Sequence, residues 1–509
     1  MKKKLTTLLE TVSNYSYKGG EVEVTGITDD SRKIKAGNVF VAIKGLTVDG
    51  HEYIENAIEK GATAIVAEVE PQKEWLESVS YVKVSDTTEV LGRLAASWYG
   101  NPAASMKLIG VTGTDGKTTT ANIIYHLLNS SGINVGLVST ISAKIGDKDY
   151  DTGFHVTNPS ALALHKYLKD MKDAGCTHAI LEVTSHGLVQ GRVAGIEFEI
   201  SVLTNISNEH LDYHKTYEAY VEAKSRLFKS SKVSVLNKDD KSISYIVDEI
   251  DDQSKIKLYS RVSEADIYAK DIKVSKKTSF TYHIGNRKQT VTSNLVGEFN
   301  VSNSLAAIFV ADAMGIKDAD IAKSFATIEN PTGRMQRIEN DLGLDIIIDY
   351  AHTPNGVESV MNEFTKDAKA RVISIVSAEG ERDPGKRFDI PRVSAQYSNL
   401  TILNPIDVRS ESYEDISNEM ERGAKEGGAK ELGDIKLPKK GSYFVSYEDR
   451  GQAIYDAIHT YAQKGDTILI LGKGHETGMD FGDYEAPWND EEAVRMALEG
   501  KVFKIKKPS

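Results

Sequence analysis

The stretch Thr112-Gly113-Thr114-Asp115-Gly116-Lys117-Thr118-Thr119-Thr120 joins the apolar run KLIGVT (107–112) to TTTANIIYHLLNSSG (118–132), a segment with helical spacing. A strand, a glycine-containing turn and a helix in this order are the setting of a phosphate-binding loop. Glycines let successive backbone N–H groups face a phosphate chain, and the helix N-terminus adds its dipole. We therefore predict a nucleotide-binding α/β domain built around this loop.

The loop side chains also suit this chemistry. Lys117 is placed to reach the β- and γ-phosphates, and Thr118 or Thr119 to put a hydroxyl on Mg²⁺. The match to G-x-x-x-x-G-K-[ST] is incomplete, because Val111 stands where the first glycine is expected. The alternative is an ordinary turn between a strand and a helix, but the flanking elements favour a phosphate loop.

Composition narrows the class of protein. A chain of 509 residues is too long for one hydrophobic core, and its length favours about three domains. The single cysteine, Cys176, excludes an internal disulfide, and the net charge of −12 argues against non-specific nucleic-acid binding. The N-terminal segment lacks the long apolar region of a secretory signal, and no run is long enough to span a bilayer. We expect a cytoplasmic monomer that inserts into no membrane.

Apolar runs continue on both sides of the loop. VFVAI (39–43) and TAIVAE (63–68) precede it, while HAILEV (178–183) and ISVLTNI (200–206) follow it among helical stretches. This alternation is typical of mostly parallel sheets covered by helices. From about residue 254 to 296 the pattern changes to alternating strands, which predicts an antiparallel insertion or edge.

The C-terminal part repeats the α/β pattern. Its apolar runs are LDIIIDY (344–350), RVISIVS (371–377), LTILN (400–404) and DTILILG (466–472). Polar breaks at YGNPAAS (99–105) and ENPTGRM (329–335) suggest domain boundaries. We predict an N-terminal domain over 1–103, a central nucleotide-binding domain with a parallel sheet over 104–333, and a C-terminal Rossmann-like domain over 334–509.

Several further stretches, in the same order, resemble the Mur ligase family, especially its members that add the third residue of a peptide. The loop TGTDGKTTT resembles the family's ATP-binding loop. The other stretches are DDSRKIKAGNVFVAIKG (29–45), LEVTSHGLVQGRV (181–193), TNISNEHLDYHKTYEAYVEAKSRLF (204–228), GEFNVSNSLAA (297–307), TGRMQ (332–336), DYAHTPNG (349–356), GERDPGKR (380–387) and GKGHE (472–476).

The resemblance implies an ATP-dependent amide ligase with a three-domain architecture. ATP would phosphorylate the free carboxylate of a D-glutamyl residue in UDP-N-acetylmuramoyl-L-alanyl-D-glutamate. A diamino acid would then attack the acyl phosphate, a step in the synthesis of peptidoglycan precursors. Bringing a triphosphate and a carboxylate together requires cations between them.

The resemblance assigns the metal site to Thr118, Glu182, His210 and Lys224, with Lys224 carbamylated so that it ligates a second Mg²⁺. Glu182 ends a predicted strand, where ligands bind in open α/β sheets. Taken singly, three of these residues have ordinary explanations. Glu182 could be a solvated residue at a strand end, His210 a hydrogen-bonded histidine in a loop, and Lys224 a solvated lysine on a helix. Together with Lys117 and Arg334, the glutamate, the histidine and Lys224 form the predicted catalytic set.

The remaining assignments also rest on the resemblance. Those for ATP are Gly113, Thr114, Asp115, Gly116, Lys117, Thr118, Thr119, Asn300, Asn303, Arg334, Asp349 and His352. Those for the UDP-linked acceptor are Ser31, Arg32, Thr157, Asn158, Ser185, Gln190 and Arg192. Those for the incoming amino acid are Arg387, Asp407, Arg409, Gly472 and Glu476.

The resemblance weakens where the amino acid is chosen. Family members that add meso-diaminopimelate carry Asp-Asn-Pro-Arg, whose arginine grips the distal carboxylate, whereas this chain reads Ile406-Asp407-Val408-Arg409. Two other departures are VTNP (156–159), where relatives have Asn-Thr-Thr-Pro, and Ala378-Glu379-Gly380, where a glycine-rich turn is common. The GKGHE stretch favours meso-diaminopimelate, with L-lysine as the alternative.

Two other functions remain open from the sequence. One is another ligase with the same loop. The DDSRKIKAG segment argues against a folylpolyglutamate or cyanophycin synthetase, and GKGHE argues against a Mur enzyme of a neighbouring step. The other is a non-catalytic scaffold that keeps the fold. Retention of Lys117, Glu182, His210 and Lys224 together argues against a dead site.

Overall fold

The computed structural model describes residues 2–45, 48–150, 158–207, 209–365, 371–433 and 435–505. Three main sheets, of five, eleven and seven strands, follow one another along the chain, and helices pack against them. No helix in this described part of the chain is long and apolar enough to cross a membrane. The three sheets agree with the predicted α/β class, while the domain boundaries at 103/104 and 333/334 stay predictions.

The first sheet is small and mostly parallel. Its strands, in spatial order, are Ser16–Lys18, Ser80–Lys83, Ala64–Ala67, Asn38–Val41 and Gly26–Thr28, and only the first pair is antiparallel. Its helices are Leu5–Leu9, Ile54–Glu59, Lys73–Leu76 and Thr87–Trp98. The last begins where the Asp86 side chain accepts hydrogen bonds from the backbone N–H groups of Thr88 and Glu89, a typical N-cap.

The second sheet has eleven strands and holds the phosphate loop. Their order is Lys148–Tyr150, Ala143–Ile145, Val135–Val138, His178–Glu182, Lys107–Thr112, Phe198–Leu203, Ser231–Asn237, Ile256–Ser260, Ile267–Val274, Thr278–Ile284 and Arg287–Ser293. The strands from Val135 to Val274 pair in parallel, and both ends of the sheet are antiparallel. The predicted antiparallel edge is confirmed where Ile267–Val274, Thr278–Ile284 and Arg287–Ser293 pair with one another. It is wrong for Ile256–Ser260, which pairs in parallel with both of its neighbours.

Helices cover both faces of this sheet. They are Lys117–Ser130, Ala161–Asp173, Ser185–Val189, Leu211–His214, Tyr217–Lys229, Ile243–Asp248, Glu298–Ala313 and Asp318–Phe325. The strand Lys107–Thr112 lies near the middle of the sheet, and every residue after Lys107 is buried. Burial on both faces explains why parallel strands are continuous apolar runs in the sequence.

The third sheet is again mostly parallel. Its order is Gln336–Ile338, Asp345–Asp349, Thr467–Leu471, Val372–Val376, Leu400–Leu403, Tyr443–Ser446 and Lys430–Glu431, with an antiparallel first pair. Its helices are Pro354–Thr365, Gly385–Tyr397, Tyr413–Glu426, Arg450–Asp456 and Asp490–Leu498. Two small ribbons complete the fold, Lys3–Lys4 with Glu23–Val24 and Gly478–Asp480 with Glu485–Pro487.

Candidate active site

A polar pocket lies where the carboxyl ends of strands from the second and third sheets meet. Its wall includes the phosphate loop from Gly113 to Thr118, and the side chains of Glu182 and Lys224. It also includes Arg334 and, from the third sheet, Glu379. Parallel α/β sheets carry their ligand sites at this end of the strands.

The phosphate loop needs its glycines for shape. Gly113 and Gly116 have φ angles of 151° and 82°, which favour glycine. A Cβ on Gly116 would lie 2.5 Å from Oδ1 of Asn303, and one on Gly113 would collide with the Thr204 hydroxyl. Asn205 accepts hydrogen bonds from the backbone N–H of Thr114 at 2.7 Å, and from that of Asp115 at 3.0 Å. The loop is thus held in a curled form that leads directly into the helix Lys117–Ser130.

Thr118 connects the loop to both sides of the pocket. Its hydroxyl oxygen lies 3.0 and 3.1 Å from the two carboxylate oxygens of Glu182. Arg334 Nη2 donates to the same hydroxyl at 3.3 Å, and the backbone N–H of Thr140 donates to Glu182 at 2.9 Å. The Lys117 amine donates to the Thr114 carbonyl at 2.7 Å.

Lys224 is fully buried inside the pocket wall. Its amine donates to the Gly113 carbonyl at 2.8 Å and lies 4.5 Å from the centre of the Tyr220 ring. Burial, reinforced by the charge of Lys117, holds the pKa of Lys224 well below its ordinary value. A buried lysine with a lowered pKa has the free amine that carbamate formation requires.

His210 lies directly before the helix Leu211–His214, with a φ of 55°. Its ring centre is 4.7 Å from that of His186 and 6.2 Å from that of Tyr220. Burial is the main reason that its pKa is lowered to about 2, despite the nearby charge of Glu209. The imidazole is therefore neutral at pH 7, the form that can ligate a metal.

The donor set suits magnesium in partnership with a phosphate. A threonine hydroxyl and a carboxylate, as in Thr118 and Glu182, are oxygen ligands that Mg²⁺ accepts. Among the residues that the structure describes, no group of three or more His, Cys, Asp and Glu side chains could hold a metal ion. Mg²⁺ usually completes its shell with water and substrate phosphates, so these residues fit a metal that arrives with a nucleotide.

Arg334 lines the pocket beside Tyr350. Its guanidinium carbon is 4.4 Å from the centre of the Tyr350 ring, and its buried Nε has no hydrogen-bond partner among the residues that the structure describes. An arginine stacked on a ring and left with an unsatisfied donor is suited to an incoming phosphate oxygen.

Asp349, Asn300 and Asn303, which are also predicted to bind ATP, are buried outside the pocket wall. The Asp349 carboxylate accepts from the backbone N–H groups of Met335 at 2.7 Å and Ala351 at 2.8 Å. The Asn303 amide donates to Oδ1 of Asn300 at 3.0 Å beneath the loop. These three polar side chains are buried and do not line the pocket, so in this structure they hold backbone and loop in place.

His352, in contrast, reaches the pocket wall. Its Nδ1 lies 3.1 Å from the Tyr350 carbonyl oxygen, and its Nε2 lies 3.4 Å from a carboxylate oxygen of Glu209. The neighbouring Thr353 donates to Asp115 of the phosphate loop at 3.3 Å. The segment after the strand Asp345–Asp349 thus contacts the loop directly.

The predicted acceptor residues fall in two places. Asn158, Ser185, Gln190 and Arg192 line the pocket, and Arg192 donates to the Gln190 side-chain oxygen at 2.7 Å. The Ser185 hydroxyl lies 3.0 Å from Nε2 of His214. Thr157 lies outside the described residues.

Ser31 and Arg32 belong to the first-sheet region and do not line this pocket. They form the short helical turn Ser31–Lys33, which Asp30 caps. The exposed Arg32 side chain is paired with Asp30 at 2.9 Å.

The predicted amino-acid residues are divided between the pocket wall, which includes Gly472 and Glu476, and a group of ion pairs behind it. Lys473 is buried and contacts Asp407 at 2.8 Å and Glu476 at 2.6 Å. Although burial favours its neutral form, these carboxylates hold the pKa of Lys473 above its ordinary value. Arg387 pairs with Glu411 at 2.6 Å.

Arg409 has a partner for each part of its guanidinium group. Nε donates to Asp480 at 3.1 Å, Nη2 to Glu379 at 3.3 Å, and Nη1 to the Gly380 carbonyl. Gly472 has a φ of 106°, and a Cβ there would lie 2.9 Å from Cβ of Ser377. The backbone at this strand end therefore requires glycine.

Sequence reasoning missed an ion pair that joins the two large sheets. The buried Glu209 carboxylate contacts the Lys386 amine, from the helix Gly385–Tyr397. Burial alone would raise the pKa of Glu209, but Lys386 and His352 hold it well below its ordinary value. Both residues stand beside predicted site residues, His210 and Arg387, and this adjacency was the available signal.

Comparison with known proteins shows the family to which the chain belongs. Models of the Mur ligase family match in order: "Mur ligase family, catalytic domain" over residues 23–99, "Mur ligase middle domain" over 111–311, and "Mur ligase, glutamate ligase domain" over 333–474. The chain belongs to the Mur ligase family, whose members are ATP-dependent amide ligases.

Two relatives are similar over nearly their full length, and both are named UDP-N-acetylmuramoyl-L-alanyl-D-glutamate--2,6-diaminopimelate ligase. The protein from Bacteroides fragilis is 35% identical, with 97% of this chain and 98% of the relative covered. The protein from Clostridium perfringens is 36% identical, with 98% and 100% covered.

Solved structures agree with this placement. A ligase of the same name is 30% identical, with a TM-score of 0.64 and coverage of 94% and 95%. MurF from Thermotoga maritima, solved in complex with ADP, shares the fold at 19% identity, with a TM-score of 0.58 and coverage of 93% and 97%.

Proposed function

We propose that the chain joins 2,6-diaminopimelate to UDP-N-acetylmuramoyl-L-alanyl-D-glutamate in an ATP-dependent reaction. The observation that carries this proposal is the full-length similarity to ligases of that name, at 35–36% identity. The pocket supports it, because the phosphate loop, Glu182, Lys224 and Arg334 share one wall with residues of the third sheet.

In this proposal the pocket first activates the acceptor. The loop N–H groups and Lys117 bind the triphosphate, and Arg334 contacts the phosphoryl group that is transferred to the D-glutamyl carboxylate. Mg²⁺, held through Thr118, Glu182, His210 and the carbamate of Lys224, would supply positive charge between the two anions. Arg192 suits the acceptor's carboxylate or diphosphate because its planar group donates two parallel hydrogen bonds.

The amine then attacks the acyl phosphate, forming an amide bond and releasing phosphate. Arg409 is proposed to hold the distal carboxylate of diaminopimelate, as the matching arginine does in the family motif. Contacts such as Thr353 to Asp115 join the two sheets over the pocket, which would keep water from the acyl phosphate. The cytoplasmic location and the monomeric state stay predictions.

The two alternatives are not favoured. A folylpolyglutamate synthase from Mycobacterium tuberculosis matches at 15% identity with a TM-score of 0.58, covering 74% of this chain and 91% of that one, which is likeness of fold alone. A scaffold that had lost catalysis would not be expected to keep Lys117, Glu182, His210 and Lys224 in one pocket wall.

Phosphate release tests the proposal. The purified chain is incubated with ATP, Mg²⁺ and the UDP-linked dipeptide, and diaminopimelate, lysine and ornithine are added in turn. We expect release that depends on both the acceptor and diaminopimelate, with a product heavier by one amide-linked residue in mass spectrometry. No release with any amino acid would refute the ligase proposal, and release with lysine alone would refute its choice of substrate.

A further inference from the structure

Two departures from the family pattern meet in space. Ile406 stands where the diaminopimelate motif has aspartate, and Glu379 stands in a turn that is commonly glycine-rich. In the structure these two positions form an isolated parallel bridge. The backbone N–H of Ile406 donates to Ala378 at 3.0 Å, and that of Gly380 donates to Asp407 at 3.1 Å. The chain therefore has no carboxylate at position 406, where the next residue, Asp407, is paired with Lys473, and it has one directly across at position 379.

Glu379 lies on the pocket wall, together with Ile406, Gly472 and Glu476. Its side chain is 27% exposed, so it is neither a core residue nor a freely solvated one. Two arginines contact it, Arg409 at 3.3 Å and Arg382 at 3.4 Å, and both contacts are made to Oε2. A carboxylate can accept several hydrogen bonds, so Glu379 retains capacity for another donor from the pocket.

The charge state of Glu379 suits an ammonium partner. Burial and the neighbouring Glu476 carboxylate favour its protonated form. Interactions with His352, Arg382 and Arg409 outweigh them and hold the pKa of Glu379 below its ordinary value. At neutral pH the pocket wall therefore presents an ionised carboxylate beside a guanidinium group.

We infer that Glu379 is a specificity-determining residue that binds the distal ammonium group of the incoming diamino acid. This inference rests on the proposed function and deepens it. The distal end of diaminopimelate carries an ammonium and a carboxylate on one carbon. Glu379 on the pocket wall, and Arg409 in contact with it behind that wall, form the complementary pair of charges. The carboxylate absent at position 406 is supplied by the neighbouring strand extension.

The test compares two substrates that differ only in the distal amine. Diaminopimelate has it, and 2-aminopimelate keeps the distal carboxylate but lacks the amine. The wild-type chain should prefer diaminopimelate, and Glu379→Gln, which preserves the shape, should raise the KM for diaminopimelate about 10- to 100-fold. The KM for 2-aminopimelate and that for ATP should change little, so the preference should collapse.

Asp480→Asn is the matched control. It removes another anionic partner of Arg409, whose Nε lies 3.1 Å from Asp480, but Asp480 does not line the pocket. If Glu379 acted only by orienting Arg409, both variants would affect the two substrates alike. Equal loss with diaminopimelate and 2-aminopimelate in Glu379→Gln would therefore overturn the inference.

A carboxylate exchange provides a second readout. Glu379→Gly should lose the preference for diaminopimelate, and adding Ile406→Asp should restore much of it. A double variant that is folded, as judged by circular dichroism, and still shows no preference for diaminopimelate would contradict the idea that a carboxylate at position 406 can replace the one at position 379. If the wild-type chain turns over neither substrate, the proposed function itself fails. Turnover of diaminopimelate with unchanged preference in Glu379→Gln defeats only this inference.

Discussion

The two ends of the candidate pocket differ in how their charges are satisfied. At the phosphate loop, Lys117 and Lys224 donate to backbone carbonyls, and within the described part of the chain the buried Nε of Arg334 has no hydrogen-bond partner. Behind the wall of the third-sheet end, Lys473 has two carboxylate partners and Arg409 has contacts at all three nitrogens. The first end has cationic capacity in reserve, whereas the second is already neutralised by the protein.

This difference indicates that the phosphate-loop end provides affinity for a charged ligand and that the third-sheet end provides selectivity. A site with reserve cationic capacity can bind a highly charged anion whose own charge completes the network. A site whose charges are already paired gains little net charge from a ligand, and it selects by the arrangement of the charges that it presents. We therefore expect substitutions at the loop to reduce activity and substitutions at the other end to affect stability and substrate choice.

Lys117→Ala should give the largest effect. Its amine donates a hydrogen bond to a backbone carbonyl, so its loss should leave the free energy of unfolding within about 1 kcal/mol of wild type. Removing a preorganised cation from the transferring phosphate should lower kcat by about a thousandfold. Phosphate release and urea unfolding, with exposed Lys169→Ala as the control, measure the two quantities. Activity within a few-fold of wild type would refute the loop assignment.

Lys224→Ala should reduce kcat by about a hundredfold or more, because the proposed carbamate would be lost. Short carboxylates such as acetate or formate should restore part of the activity by entering the space that the side chain vacates. The same acids should not rescue Lys117→Ala, where a cation is missing. Full activity of Lys224→Ala without added acid would show that no carbamate is needed.

Lys473→Met tests the other end of the comparison. It should leave the carboxylates of Asp407 and Glu476 without the amine that lies 2.8 and 2.6 Å away. Loss of one member of a buried charge network should lower the free energy of unfolding by about 3 kcal/mol. Urea denaturation measures this value. A variant as stable as the wild type would mean that the pairing contributes no net stability.

The pH dependence of stability should give the smallest effect. The native pKa of Lys224 lies well below 10.5, its ordinary value. At a pH between the native pKa and 10.5, the unfolded state therefore binds more protons than the native state. The free energy of unfolding should therefore rise with pH, by up to about 1.4 kcal/mol per pH unit. Comparison with Lys224→Met at pH 7 and 9, in metal-free buffer purged of carbon dioxide, isolates this contribution. Parallel curves for the two proteins would contradict a lowered pKa.

The sequence could predict features formed by neighbouring residues, but not contacts between segments that are far apart in the chain. KLIGVT was predicted as a strand and is the strand Lys107–Thr112, because continuous apolar runs specify buried parallel strands. The loop followed from its glycines and flanking elements. The pairing of Glu209 with Lys386 could not be predicted, because the two residues are 177 positions apart and meet only when two sheets are placed together. Nor does the spacing of Asn303 reveal that it packs beneath Gly116.

The bridge between Glu379 and Ile406 also constrains how such a pocket can evolve. A lineage with glycine at the first position and aspartate at the second needs two substitutions to reach the present pair. If the glutamate arises first, two carboxylates face each other beside Arg409, and the guanidinium group limits their repulsion. If the aspartate is lost first, the intermediate has no carboxylate at either position. With the inferred role of Glu379 in binding the diamino acid, continuous substrate recognition would require the order in which Glu379 appears before Ile406.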